Sequence, residues 1–349
     1  MRLPCWHRTN NSHPKSLCRP AACDQIRPHA LLIIPAHAVD AKFTFPELVE
    51  TLRRGFRSGA VAPVRHHHTI ERPDAADPTL LLMPAWSDFV AQGHSERGYV
   101  GVKIVTVVPD NPSRNKPTVT GVYLLLSGRT GEPLAIIDGQ ALTLWRTAAA
   151  SALAARYLAR EDARRLLMVG AGALAPYLIR AHAAVRPIEE VLVWNRNPES
   201  AERLAKQLTR SALHVSATED LEGGVRGADI VSCATLSTEP LVKGAWLSAG
   251  THVDLVGAFA PTMRESDDVL WQRARAFVDT YGGAFSEAGD VLQAIEAGAL
   301  TKDDVAADLF ELCRGEKAGR RFYDQITVFK SVGTALEDLV AAEHVFVRS

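Results

Sequence analysis

Residues 165–206 read RLLMVGAGALAPYLIRAHAAVRPIEEVLVWNRNPESAERLAK, and this stretch leaves the chain little freedom in what it can fold into. Arg165–Val169 is an apolar run of the length of a buried parallel strand. Gly170, Ala171, Gly172, Ala173, Leu174 and Ala175 follow at once as a G-x-G-x-x-A turn that opens a helix. Gly170 permits the tight turn out of the strand, Gly172 lets backbone approach a pyrophosphate with no side chain between, and Ala175 lets the helix pack close to the sheet. The helix N-terminus then offers free N–H groups and a partial positive charge to phosphate, with Ala173 and Leu174 completing the turn. A second strand, Glu190–Trp194, ends in Asn195-Arg196 about twenty residues after the glycines, where an NAD site usually carries an acid for the ribose hydroxyls. An amide beside a guanidinium suits a 2′-phosphate better, so the expected cofactor is NADPH, with NADH as the alternative.

The rest of the composition narrows the partners. Lys and Arg total 39 against 40 acidic residues, which gives no field that would favour nucleic acid or an anionic membrane. No run of about eighteen uncharged apolar residues suggests a membrane span. Small molecules are the expected ligands. At 349 residues and 47% apolar content the chain is long enough for two packed domains. Five cysteines, Cys5, Cys18, Cys23, Cys233 and Cys313, show no scaffold spacing and read as free thiols in a reducing cytoplasm.

Residues 1–30 carry Cys, His, Pro and Arg without periodicity and read as a disordered or non-native extension; their Cys/His spacings match no closed zinc pattern, and no metal is expected. From Leu31 the patterning is regular. Thr44 and Glu47 stand in a capping-box relation with Pro46 in the first turn of an amphipathic helix that Gly59 closes. Thr79–Pro84, Tyr99–Val108, Pro117–Leu126 and Pro133–Ile137 read as a meandering antiparallel sheet, and Ala141–Leu158 as an alanine-rich helix. Beyond the nucleotide unit, strands at Leu213–Ser216, Asp229–Ala234, His252–Gly257 and Ala276–Asp279 alternate with helices, and Gln325–Phe329 adds a late strand. The expected class is α/β, a doubly wound parallel sheet with a second α+β lobe.

Two cations stand in apolar surroundings. Lys103 interrupts YVGVKIVTVV, where its desolvation is costly unless an anion, such as a ligand, pairs with it; an edge-strand lysine that discourages aggregation is the plainer reading. Arg146 in LTLWRTAAASALAA falls near the beginning of a helix, where the dipole disfavours a cation unless an anion is present. Arg65 in APVRHHHT is uninformative alone, and adjacent strand histidines 66–68 point to opposite faces and cannot readily converge on a metal. Glu287 and Asp290 read as an acidic, helix-opening cluster without an assigned role.

With GVKIVTVVPDNPSRNKPTVTG, DGQALTLWRTAAASALAARYLAR with its GAGALA turn, and VFKSVGTALEDL in hand, the chain from about Leu31 resembles the ornithine cyclodeaminase and mu-crystallin family. The resemblance implies a Rossmann domain over 146–319. It also implies a substrate-binding and dimerisation lobe from 31–145 with 320–349, and hence a homodimer. By motif, Arg65, Lys103, Thr118 and Arg146 match positions that hold a substrate α-carboxylate, Val332 matches a substrate contact, and Gly172, Ala173, Asn195, Arg196, Thr235 and Leu236 match nucleotide contacts. Where the family's cyclodeaminases carry an aspartate after VGG, this chain reads VGAFAP, with Phe259 in its place. Loss of that carboxylate counts against cyclodeamination, and Phe259 offers an apolar wall for ring methylenes.

The segment is similar to that of the family's Δ1-pyrroline-2-carboxylate and Δ1-piperideine-2-carboxylate reductases. The expected reaction is therefore NADPH-dependent reduction of a cyclic imino acid at C=N to L-proline or L-pipecolate. Lys103 and Arg146 stand at the reacting centre, and Lys103 or Thr118 is a candidate relay for the imine proton. The alternatives are an alanine dehydrogenase-like enzyme, a mu-crystallin-like binding protein and a cyclodeaminase.

Overall fold

The computed structural model describes residues 31–93, 97–208 and 213–349, which form one compact unit. The extension 1–30, with Cys5, Cys18 and Cys23, lies outside the described residues. Seven strands build a first sheet: β1 (Leu32–Ile34), β2 (Ala60–Val61), β3 (His66–Thr69), β4 (Thr79–Ser87), β5 (Tyr99–Val107), β6 (Val119–Ser127) and β7 (Pro133–Asp138). β4 to β7 are the expected antiparallel meander, β1 adds in parallel to β7, and β2 and β3 both pair with β4. Along β5 the residues alternate, so Gly101, Lys103 and Val105 turn inward and Val102 and Ile104 outward. The inward face packs against helices Gly139–Leu158 and Ala335–Val347, and helix Phe45–Ser58 packs on both of these.

The first of these helices starts at Thr44, whose hydroxyl donates to Glu47 Oε2 at 2.9 Å, so the expected Thr-Glu pair forms between side chains rather than onto the backbone. Asp138 caps the long helix Gly139–Leu158 by accepting from Ala141 N at 2.8 Å. That helix is buried nearly all round, as its run of alanines allows, and carries the first lobe onto the second.

Eight parallel strands form the second sheet: β8 (Arg165–Val169), β9 (Glu190–Trp194), β10 (His214–Ala217), β11 (Ile230–Cys233), β12 (His252–Leu255), β13 (Arg275–Val278), β14 (Val305–Asp308) and β15 (Thr327–Lys330). Their order is β10-β9-β8-β11-β12-β15-β13-β14, so the winding reverses between β8 and β11 and leaves a crevice at the carboxyl ends of those strands. The C-terminal return departs from the expected boundary at residue 320. β15 inserts between β12 and β13 in the nucleotide sheet, and only the helix Ala335–Val347 beyond it crosses to the first lobe. Among the described residues no helix is long and apolar enough to cross a membrane, and no group of three His, Cys, Asp or Glu side chains could hold a metal. Cys233 and Cys313 are buried free thiols.

Candidate active site

The cleft opens at the reversal point, with a volume of about 560 Å³, and its walls are the loops that leave β8, β9, β11, β12 and β15. Gly170, at φ +107°, turns the chain out of β8 where a Cβ would lie 2.6 Å from Ala234 O. Gly172 has nothing within 4 Å of its Cβ position, so the space beside it is open. The N–H groups of Gly172 and Ala173 find no partner among the described residues and lie ahead of the helix Ala175–Val185. A pyrophosphate fits this cradle, which supplies donors and a helix dipole and no side chain in the way. Asn195 accepts from Ala171 N through Oδ1 at 3.3 Å and donates through Nδ2 to Asn197 O, while Arg196 is exposed on the cleft and makes no ion pair among the described residues. Gly170, Gly172, Ala173, Leu174, Asn195, Arg196, Thr235, Leu236, Phe259 and Val332 all line this one cleft.

The three cations gather close together but do not all open onto the cleft. Arg146 alone of the four carboxylate candidates lines the cleft. It is the eighth residue of its helix, past the first turn in which the dipole acts, so the anion it needs comes from elsewhere. The chain supplies it. Glu337 Oε2 receives Arg146 Nη1 at 2.7 Å, and Asp338 Oδ1 receives Nε at 3.0 Å. Both acids stand in the first turn of the C-terminal helix, where its dipole favours negative charge. Nη2 has no hydrogen bond among the described residues.

Lys103 is 2% exposed on an interior strand, which removes the edge-strand reading, and its Nζ stands 2.7 Å from Asp338 Oδ2. Lys103 and Arg146 thus grip opposite oxygens of one carboxylate. Burial pulls the Lys103 ammonium down to about 8 against the opposing pull of Asp338. Burial pushes Asp338 up, but Arg146 and Lys103 more than offset it and hold it below the usual carboxylate range. Burial pushes Glu337 up to about 7 despite Arg146.

Arg65 lies on the other side of Gly333. Its Nη2 donates to the carbonyls of Val332 and Gly333 at 2.8 and 2.9 Å and stands 3.0 Å from Glu287 Oε2, in a smaller adjoining cavity of about 210 Å³. Gly333, at φ +82°, is squeezed between the two arginines, since a Cβ there would lie 2.3 Å from Arg146 Nη1. Asp279 fixes the same turn by accepting from Val332 N and Gly333 N at 2.8 and 2.7 Å. Thr118 sits in the β5–β6 connection, where its carbonyl accepts from Val108 N, and it does not line the cleft. His67 stands 3.5 Å from Glu287, and the neighbouring histidines are exposed.

A second buried set lies under the cofactor loops. Glu265 Oε1 accepts from Thr235 N and Oγ1 at 2.7 and 2.8 Å and is wedged against Gly257, whose Cβ would lie 2.3 Å from it. Asp290 Oδ1 accepts from Glu265 N, Ser266 N and Ser266 Oγ, while fully buried Lys330 donates to Gly257 O and approaches Asp290 at 3.5 Å. This gives Asp290 a role as a brace for the cleft floor and Glu287 one as the partner of Arg65. Ala258, between Gly257 and Phe259, is held at φ +49°, and Phe259 beyond it is 44% exposed on the cleft.

A dinucleotide cradle that shares its cleft with a nearly dry cluster of paired charges defines an NAD(P)-dependent oxidoreductase. More particularly, residues 32–349 match the ornithine cyclodeaminase/mu-crystallin family, and the chain belongs to it. It is 43% identical over 314 residues to the Arabidopsis thaliana Protein SAR DEFICIENT 4, covering 86% of this chain and 94% of that protein. It is 40% identical over 294 residues to a Δ1-pyrroline-2-carboxylate reductase of Paracoccus denitrificans, covering 82% and 90%. Its fold is similar to that of Thermococcus litoralis Δ1-pyrroline-2-carboxylate reductase, solved with NADH and L-proline, with a TM-score of 0.84, 30% identity and coverage of 91% and 97%.

Proposed function

We propose that the protein reduces cyclic 2-carboxylate imines, Δ1-pyrroline-2-carboxylate to L-proline and Δ1-piperideine-2-carboxylate to L-pipecolate, with NADPH as the preferred donor. The observation that carries this reading is the cleft-facing Arg146 beside the turn Ser331–Gly333, in one cavity with Phe259 and the dinucleotide cradle. The similarity to reductases named for pyrroline-2-carboxylate supports it. A bound nicotinamide would supply hydride to the imine carbon, with the proton on nitrogen coming from solvent and the nicotinamide left oxidised. Arg146 Nη2 takes the substrate carboxylate, and Val332 and Phe259 bound the ring. Lys103 and Arg65 brace Arg146 from behind, through Asp338 and through Gly333 respectively. Holding the carboxylate fixes the adjacent imine carbon in reach of the donor, the positioning effect worth about 7–11 kcal/mol in well-oriented systems.

The preference for NADPH rests on Arg196, which is exposed at the ribose end of the cleft and, among the described residues, has no ion-pair partner and no acid beside it in the cleft lining. Phe259 in place of a carboxylate leaves nothing at that position to handle a second amine, which argues against cyclodeamination. The protein acts as a homodimer in this reading. The first sheet turns a face away from its helices that carries Ile104 and Val122, 36% and 42% exposed, beside half-buried Leu82, Trp86, Val102 and Leu124, an apolar face that a second copy would cover. Incubation with NADPH and pyrroline-2-carboxylate should yield L-proline in step with NADPH consumed. Tight NADPH binding with no product would instead make it a binding protein.

A further inference from the structure

The acids that neutralise the anchoring cations have a consequence for how an anion enters. Arg65, Lys103 and Arg146 stand against Glu287, Asp338 and Glu337, with buried Asp279 close by, so acids already match the cations before any ligand arrives. A substrate carboxylate on Arg146 adds one negative charge to a nearly dry site, where an uncompensated charge is costly. A proton relieves that cost. Glu337 is placed to take it: its side chain is 1% exposed, only Oε2 is engaged by Arg146, and Oε1 has no hydrogen-bond partner among the described residues. Asp338 is held on both oxygens by two cations and keeps its charge.

We propose that Glu337 takes up a proton when a carboxylate ligand binds Arg146, so that the site admits its acid as anion plus proton. The proposal rests on the reading that Arg146 holds the substrate carboxylate. Glu337 is a charge-compensating residue acting through Arg146, and it does not touch the ligand. The charged groups around it are Arg146 from the long helix, Asp338 from its own helix and Asp279 at the end of β13, with Lys103 of β5 behind Asp338 and Arg65 across Gly333. Burial pushes Glu337 up to about 7, with Arg146 opposing and Asp279 and Asp338 adding, so a newly arrived negative neighbour tips it to the neutral acid near neutrality. Lys103, lowered to about 8, is the competing proton acceptor.

The test is a calorimetric titration of the NADPH-loaded protein with pyrrole-2-carboxylate, an unreactive planar five-ring acid, at pH 7.5 in buffers of different ionisation heat. The wild type should take up about half a proton or more per ligand bound, and its affinity should fall toward tenfold per pH unit above neutrality. Glu337→Gln should abolish most of the uptake and, because an amide resembles the protonated acid, bind the ligand more tightly than wild type at pH 8.5. A purely structural role predicts weaker binding at every pH. Uptake that persists in Glu337→Gln, or wild-type binding without uptake, overturns the inference and leaves the substrate reading standing; the wild-type arm holds even if the variant does not fold. Failure of the acid to bind the NADPH complex at all would overturn both.

Discussion

On the proposed reading Arg146 is the substrate anchor, and its neighbours set what its loss does. Arg146→Ala removes the cleft-facing donor and strands two acids, so kcat/KM should fall by about 100-fold or more, with a large rise in KM. Lys103→Met should also depress kcat/KM, by about tenfold or more, because it loosens Asp338 and thereby the arginine. Wild-type kinetics in either variant would refute the assignment. Asn195→Asp puts a carboxylate beside the ribose site and should shift the NADPH-to-NADH preference toward NADH; an unchanged ratio would mean that discrimination lies elsewhere. Ala258 is held in the left-handed region that glycine adopts without steric cost, so Ala258→Gly should stabilise the fold by about 1 kcal/mol in denaturant unfolding while holding Phe259 less firmly. At this scale the turn out of β8 was legible, because Gly170, at φ +107° and close against Ala234 O, answers to a local backbone requirement. The partners of Lys103 and Arg146 were not. Both residues were marked by charge in apolar surroundings, but the compensating anions sit nearly two hundred residues or more away in sequence, and only the fold pairs them.

Among the elements, the helices and strands with clear periods fell where the residues indicated: Phe45–Ser58, the meander β4 to β7, and the β8-to-β9 unit. β14 was hidden because VAAD is too short to show a period, and β15 read correctly as a strand but not as an insertion, since partner choice in a parallel sheet leaves no local mark. The pairing of the C-terminal helix with β5 has a pH signature. A lysine lowered to about 8 is charged below that value and loses its charge as pH rises through it, so the Lys103 support for Arg146 is present at neutral pH and fades above about pH 8. The kcat/KM profile should therefore turn down on the alkaline side, and Lys103→Arg should carry that limb to higher pH if it remains active. Asp338→Ala leaves two buried cations without their shared acid and should cost about 3–5 kcal/mol of stability in denaturant unfolding.

For the whole molecule, the two sheets divide the work: the parallel one supplies the cradle, and the other supplies Lys103 and an apolar outer face. Val122→Glu on that face should convert a dimer to monomer in light scattering, and an unchanged mass would place the interface elsewhere. The central claim is tested most directly by the rate of NADPH oxidation with pyrroline-2-carboxylate, set beside pyruvate plus ammonia with NADPH and ornithine with NAD. Rapid turnover with the cyclic imine, and little with the other two, is the predicted result. Brisk conversion of ornithine, or of pyruvate with ammonia, in place of the imine would contradict it.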